Sequence, residues 1–156
     1  MPDVAARIGE QIERLRTMRY PTMVIALDDA VPVSRNALRS AAQMAGLRAV
    51  AYRGDILKAE GSTVRLGAYL RTEFRDWLRK QARCHGGLLV FDVDELISTW
   101  PDSERRAFFM DFLHLESNTE DGLSRAPIVL ASYHASRFSL PRDQRGQGIV
   151  WSPEPE

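Results

Sequence analysis

The chain has 156 residues, 44% hydrophobic and 27% charged, with 21 basic side chains against 21 acidic ones and a formal net charge of zero. That length buries one core and is short for two, and the charge balance argues against a dedicated, highly basic nucleic-acid binder. No apolar run approaches the roughly 20 residues of a membrane span. The sole cysteine, Cys84, cannot form an internal disulfide, and the N-terminus lacks the apolar core of a signal peptide. Both point to a cytoplasmic protein without a membrane partner. Only Lys58 and Lys80 among the basic residues are lysine, a bias that genomic base composition explains most simply.

In chain order, residues 3–18 read as a helix, with Val4, Ile8, Ile12 and Leu15 three or four apart and Asp3 as N-cap. TMVIAL (22–27) reads as a buried strand. An irregular turn, DDAVPVS, leads to a helix over 36–45 that stops at Gly46. A second strand spans 47–53, and a polar connection spans 54–63. A long amphipathic helix over 64–82 carries Leu66, Tyr69, Leu70, Phe74, Trp77 and Leu78 on its apolar face. GGLLVF (86–91) is the most apolar strand candidate. A helix over 103–115 follows, with Asp102 as N-cap, then a loop over 117–125 and a strand over 127–134. A short strand over 148–152 precedes a frayed tail at 153–156. Alternating strands and helices, with apolar strands that show no polar alternation, predict an α/β three-layer sandwich. Its sheet is expected to be five-stranded and mainly parallel, in a single domain over 1–156 with the N-terminal helix within 1–19.

The sharpest local feature is LLVFDVDEL (88–96). An apolar strand delivers Asp92, Asp94 and Glu95 at its C-terminal end, where open α/β sheets bind ligands. Carboxylates there suit a hydrated magnesium ion or an oriented water, with Asp92 and Asp94 as the metal candidates and Asp92 and Glu95 as the catalytic ones. The plainer reading is a strand end whose acids cap the next turn. Arg71, Arg75, Arg79 and Arg83 recur every four residues along the long helix. Such a stripe suits phosphates, DNA or an acidic partner, but Glu73 and Asp76 among them favour a self-paired, solvated face. Phe108, Phe109, Met110 and Phe112 cover more of one helix than a single stripe requires. Phe109 or Met110 is therefore expected to face outward as part of a protein interface. His85, His114 and His134 lack metal-ligand spacing.

LLVFDVDEL resembles the Walker B strand of P-loop NTPases of the AAA-like kind. TMVIAL then matches the strand before the phosphate loop. PIVLASYH matches the strand that ends on a polar sensor, here Ser132 or His134, and GIVWS matches the last core strand. The phosphate loop itself departs from G-x-x-x-x-G-K-[ST] at every defining position. Asp29 and Ser34 stand at the two glycines, Arg35 at the lysine and Asn36 at the Ser/Thr. Pro32 removes a backbone donor, and Asp28 and Asp29 add negative charge where a triphosphate would sit. Arg35 at the helix start could still meet an anion, and Asn36 a cation.

The resemblance therefore implies a pseudo-NTPase, leaning away from an enzyme. Asp92, Asp94, Arg35 and Asn36 would be the remnant of its nucleotide site, with Mg-ATP bound only in a complex. It also implies a larger protein partner, such as an active ATPase, or self-assembly. In size and layout the chain looks like the small P-loop subunit of bacteriophage-exclusion (BREX) defence systems. FDVDEL separately resembles the D-x-D-G motif of haloacid-dehalogenase-type phosphatases, with Glu95 in place of the glycine. That resemblance implies a phosphatase using Asp92 and Asp94.

Overall fold

The computed structural model describes residues 3–52, 71–138, 140 and 146–153. In chain order the elements are α1 (Val4–Leu15), β1 (Thr22–Ala26), α2 (Arg35–Met44), β2 (Arg48–Ala51), α3 (Arg71–His85) and β3 (Leu88–Phe91). Next come α4 (Asp94–Ile97), α5 (Asp102–Phe112), β4 (Ile128–Ser132), a single 3₁₀ turn (His134–Arg137) and β5 (Ile149–Trp151). The five strands form one sheet in the order β2–β3–β4–β1–β5, and every pairing is parallel. The expected class, strand number and direction are all observed.

The order follows from chirality. From β1 the chain crosses β4 and β3 to reach the β2 edge, and every later step moves back the other way. Right-handed crossovers in opposite directions place their connections on opposite faces. On one face Ile8 and Ile12 of α1 and Leu38 and Ala41 of α2 pack against Met23, Ile25, Leu89, Phe91 and Val129. On the other face Phe74 and Leu78 of α3, Leu96 of α4 and Phe108 and Phe112 of α5 pack against Val24, Val90 and Leu130. Strands covered on both sides need no polar alternation, and β1, β3 and β4 are buried along their whole length.

Local chemistry sets the boundaries. The Asp3 side chain accepts the Ala6 N–H at 2.8 Å, as expected of an N-cap. Ser34 does the same for Ala37 at 3.0 Å, which starts α2 one residue before the predicted position. Gly46 ends that helix at φ 73°. Asp102 is corrected from N-cap to first helical residue: the cap position is Pro101, which offers no side-chain acceptor. Gly86 and Gly87 both have positive φ, so β3 begins at Leu88 rather than at 86. The predicted start of the long helix, 64–70, and the connection at 54–63 lie outside the described residues, while α3 runs three residues past its predicted end. α4 and the 3₁₀ turn are too short to leave a periodic signal.

The outward placement of Phe109 is also corrected. Its ring is fully buried, edge-on to Phe108 at 5.6 Å and tilted against Phe138 at 6.1 Å. The sheet face beneath α5 is wide enough to take both rings. Met110 is half-buried at the rim of that core. Among the described residues no helix is long and apolar enough to cross a membrane.

Candidate functional site at the carboxyl edge of the sheet

The C-terminal ends of β1, β3 and β4 converge where the connections leave for opposite faces, the position at which open parallel sheets bind ligands. After β1 the chain makes a tight turn. Val31 N–H donates to the Asp28 carbonyl at 3.1 Å, and Ala30 N–H donates to the Asp28 carboxylate at 2.9 Å. Pro32 and Val33 then lead to the Ser34 cap. Ser34 turns its hydroxyl to its own helix, accepting the Ala37 N–H.

Asp92 follows β3 with φ 58°, the one left-handed residue other than glycine among those described. Aspartate tolerates that region better than most side chains, since its short polar group bonds locally. The conformation presents the carboxylate to α2. Arg35 Nε lies 3.0 Å from Asp92 Oδ2 and 3.2 Å from Oδ1. Two of the residues expected to form a remnant nucleotide site, Arg35 and Asp92, are thus bound to each other. Asn36 is exposed on the first turn of α2.

Asp94 serves different partners. Its Oδ1 accepts the Ser132 hydroxyl at 2.6 Å and the backbone N–H groups of Tyr133 at 3.1 Å and His134 at 3.4 Å. Ser132 Oγ in turn accepts the His134 N–H at 3.1 Å, and His134 Nε2 lies 3.3 Å from the Asp94 carbonyl. Ser132 is fully buried and His134 nearly so. Ser132 and His134 therefore both meet Asp94. Glu95 is half-buried in the first turn of α4. Among the described residues no group of three or more His, Cys, Asp or Glu side chains is arranged to hold a metal ion.

The other candidates sit elsewhere. Arg75 Nε lies 3.4 Å from its neighbour Asp76, and Arg79 Nε donates to the Glu116 carbonyl at 3.2 Å. The Arg71 side chain lies outside the described residues. The groove beside Arg79, Lys80 and Arg83 is closed on its other side by Glu116, Glu120 and Asp121. It is therefore lined by both charge signs. The Thr119 hydroxyl and the Leu123 N–H hold the Asp121 carboxyl below the usual carboxylate range.

The Arg35–Asp92 pair is a surface contact, with side chains 71% and 26% exposed. Such pairs contribute at most about 1 kcal/mol. Arg35→Gln and Asp92→Asn are each expected to melt within about 4 °C of the parent, read by circular dichroism. Asp92→Ala is expected to cost about 1 kcal/mol more than Asp92→Asn, because alanine lacks the local bonds that support a left-handed backbone.

Sequence reading named Asp92, Asp94, Arg35 and Ser132 but not their pairing, which spans 57 positions in one case and 38 in the other. Comparison with protein-family models, with curated proteins and with solved structures finds no match to this chain.

Proposed function

We propose that the chain is a non-catalytic, P-loop-like accessory or assembly subunit of a bacterial multiprotein complex. One observation carries the proposal: Arg35 and Asp92 are bound to each other. In a working P-loop the lysine reaches the terminal phosphates and the Walker B aspartate holds magnesium. Here the corresponding groups neutralise one another, and Asp94 is taken up by three donors from the end of β4. The sheet order supports the P-loop-like part of the reading. β4 stands between the Walker B-like strand β3 and the strand β1 that precedes the phosphate-loop position, the arrangement of AAA-like proteins. The layout resemblance to the small bacteriophage-exclusion subunit suggests a defence assembly as the setting, with a larger ATPase as partner.

The test is calorimetric titration of the isolated chain with Mg-ATP. No binding heat is expected up to millimolar nucleotide, because opening the Arg35–Asp92 pair would still leave Asp28 and Asp29 facing the triphosphate. Saturable binding at micromolar affinity would overturn the reading.

A further inference from the structure

A groove of about 530 Å³ lies at the opposite, amino edge of the sheet, between the end of α1 and the loop that leads into β4. β1 and β4 are parallel, so the segments that feed them enter the sheet at the same edge. The lining residues are Arg16, Asn118, Gly122, Leu123, Ser124 and Arg125, and none of them brings a negative charge. The loop is braced. Thr119 N–H donates to the Ser124 carbonyl at 3.0 Å, Ala126 N–H donates to the Ser117 carbonyl at 3.0 Å, and Asn118 bridges to Arg125. The Asp121 carboxylate accepts the Thr119 hydroxyl at 2.5 Å and the Leu123 N–H at 2.9 Å, and it lines the neighbouring groove beside α3.

Arg16 and Arg125 are both half-buried, and carbonyl oxygens hold their guanidinium groups. Arg125 Nη1 donates to Asn118 Oδ1 at 2.9 Å. Arg16 Nη2 donates to the Ala45 carbonyl at the end of α2, and its Nε pairs with Glu13, which is itself exposed and outside the lining. Among the described residues no carboxylate meets Arg125, and its Nε and Nη2 keep their donors. A cation held in place by a neutral amide, with its charge uncompensated, is suited to an oxyanion. Asn118 spends its carbonyl on Arg125 and so keeps its NH₂ group as a donor, and the Ser124 hydroxyl adds another. Donors from four side chains exceed what the two oxygens of a carboxylate need. A phosphate monoester brings three terminal oxygens and about two negative charges at neutral pH. A phosphodiester brings one charge and two free oxygens. We propose that this groove binds a phosphate monoester, offered either by a small phosphorylated molecule or by a phosphorylated side chain of a partner. The proposal does not depend on the accessory-subunit reading, since it uses neither Arg35 nor Asp92.

The experiment is a ¹⁵N–¹H NMR titration of the full chain at neutral pH and fixed ionic strength. The probes are β-glycerophosphate and an end-blocked, glycine-flanked phosphoserine peptide. The controls are dimethyl phosphate, acetate and the unphosphorylated peptide. Saturable shifts with a monoester are expected at Asn118, Ser124 and Arg125, with a Kd tighter than about 5 mM and every control weaker. Arg125→Gln is expected to weaken monoester binding by about tenfold or more. Ser124→Asp, which sets a negative charge in the groove and leaves both arginines in place, should weaken it at least as much. The same spectra show that each variant is folded. Tighter binding of the phosphopeptide than of β-glycerophosphate identifies a partner side chain as the source, and the reverse identifies a small phosphorylated molecule. The proposal is overturned by a control that binds as tightly as the monoesters. It is equally overturned by monoester affinity weaker than about 5 mM, or by a folded variant that binds like the parent.

Discussion

Asp94→Ala is expected to destabilise the protein by about 2–4 kcal/mol, lowering the melting temperature by roughly 5–15 °C. The reason is the number of donors that one oxygen serves. Ser132 O–H and the N–H groups of Tyr133 and His134 all point at Asp94 Oδ1. Ser132 is fully buried, so its hydroxyl has no water to turn to when the acceptor is gone. An orphaned buried donor costs about 1–3 kcal/mol, well above what a typical hydrogen bond contributes when formed. The bond also ties the start of α4 to the end of β4, 38 positions away, so its loss loosens two elements at once. Asp94→Asn keeps one acceptor oxygen of the same shape and should recover about half of the loss. The pair of variants is read by thermal melts and by urea unfolding. The contrast with Asp92 is the informative part. Asp92→Asn breaks an ion pair whose arginine is mostly in solvent and should cost less than about 1 kcal/mol. A melt that ranks Asp92→Asn below Asp94→Ala in stability would invert the roles assigned to the two acids.

The two acids show where the sequence is informative and where it is silent. FDVDEL announces a strand that ends in carboxylates, and the strand is there. Which carboxylate faces which neighbour depends on the left-handed turn at Asp92 and on the sheet order, and neither is written in local periodicity. The fold class was legible for a physical reason. Strands buried on both faces must be apolar throughout, and helices on a sheet must be amphipathic, so both leave patterns in a window of ten or so residues. Gly46 and Asp3 were legible because a helix end imposes its demand on one residue. Asp102 was not, since Pro101 satisfies the backbone requirement of the cap without a side-chain acceptor. Phe109 was misjudged for a related reason. Helical spacing says which residues share a face but not how wide a face the sheet will cover, and here it covers Phe108 and Phe109 together. Of the arginine stripe, the self-paired reading matches Arg75, which meets the adjacent Asp76, whereas Arg79 reaches a loop carbonyl instead.

The core on that wide face should be the most sensitive part of the molecule. Phe108→Ala is expected to cost about 3–5 kcal/mol, a melting-temperature loss of roughly 6–20 °C. Phe108 is fully buried, and its ring centroid lies 5.2 Å from Trp100, 5.6 Å from Phe74 and 6.1 Å from Phe112. It therefore joins α3, the turn after α4 and its own helix around one point. Truncation removes the transfer free energy of the ring and leaves a void that three other rings must collapse to fill. Phe74 and Phe112 stack on Phe108 and Trp100 is tilted against it, and such rings hold few rotamers, so the collapse will be partial. Phe108→Leu retains most of the volume and should cost clearly less, about 1–2 kcal/mol. Met110→Ala, two residues along the helix and only half-buried, should cost about 1 kcal/mol or less. The order Phe108→Ala, then Phe108→Leu, then Met110→Ala is measured by chemical unfolding, and a common midpoint for all three would contradict this packing. The same melts bear on function. If Met110 belongs to a docking surface on the α5 rim, Met110→Ala will unfold close to the parent while binding of the partner is lost.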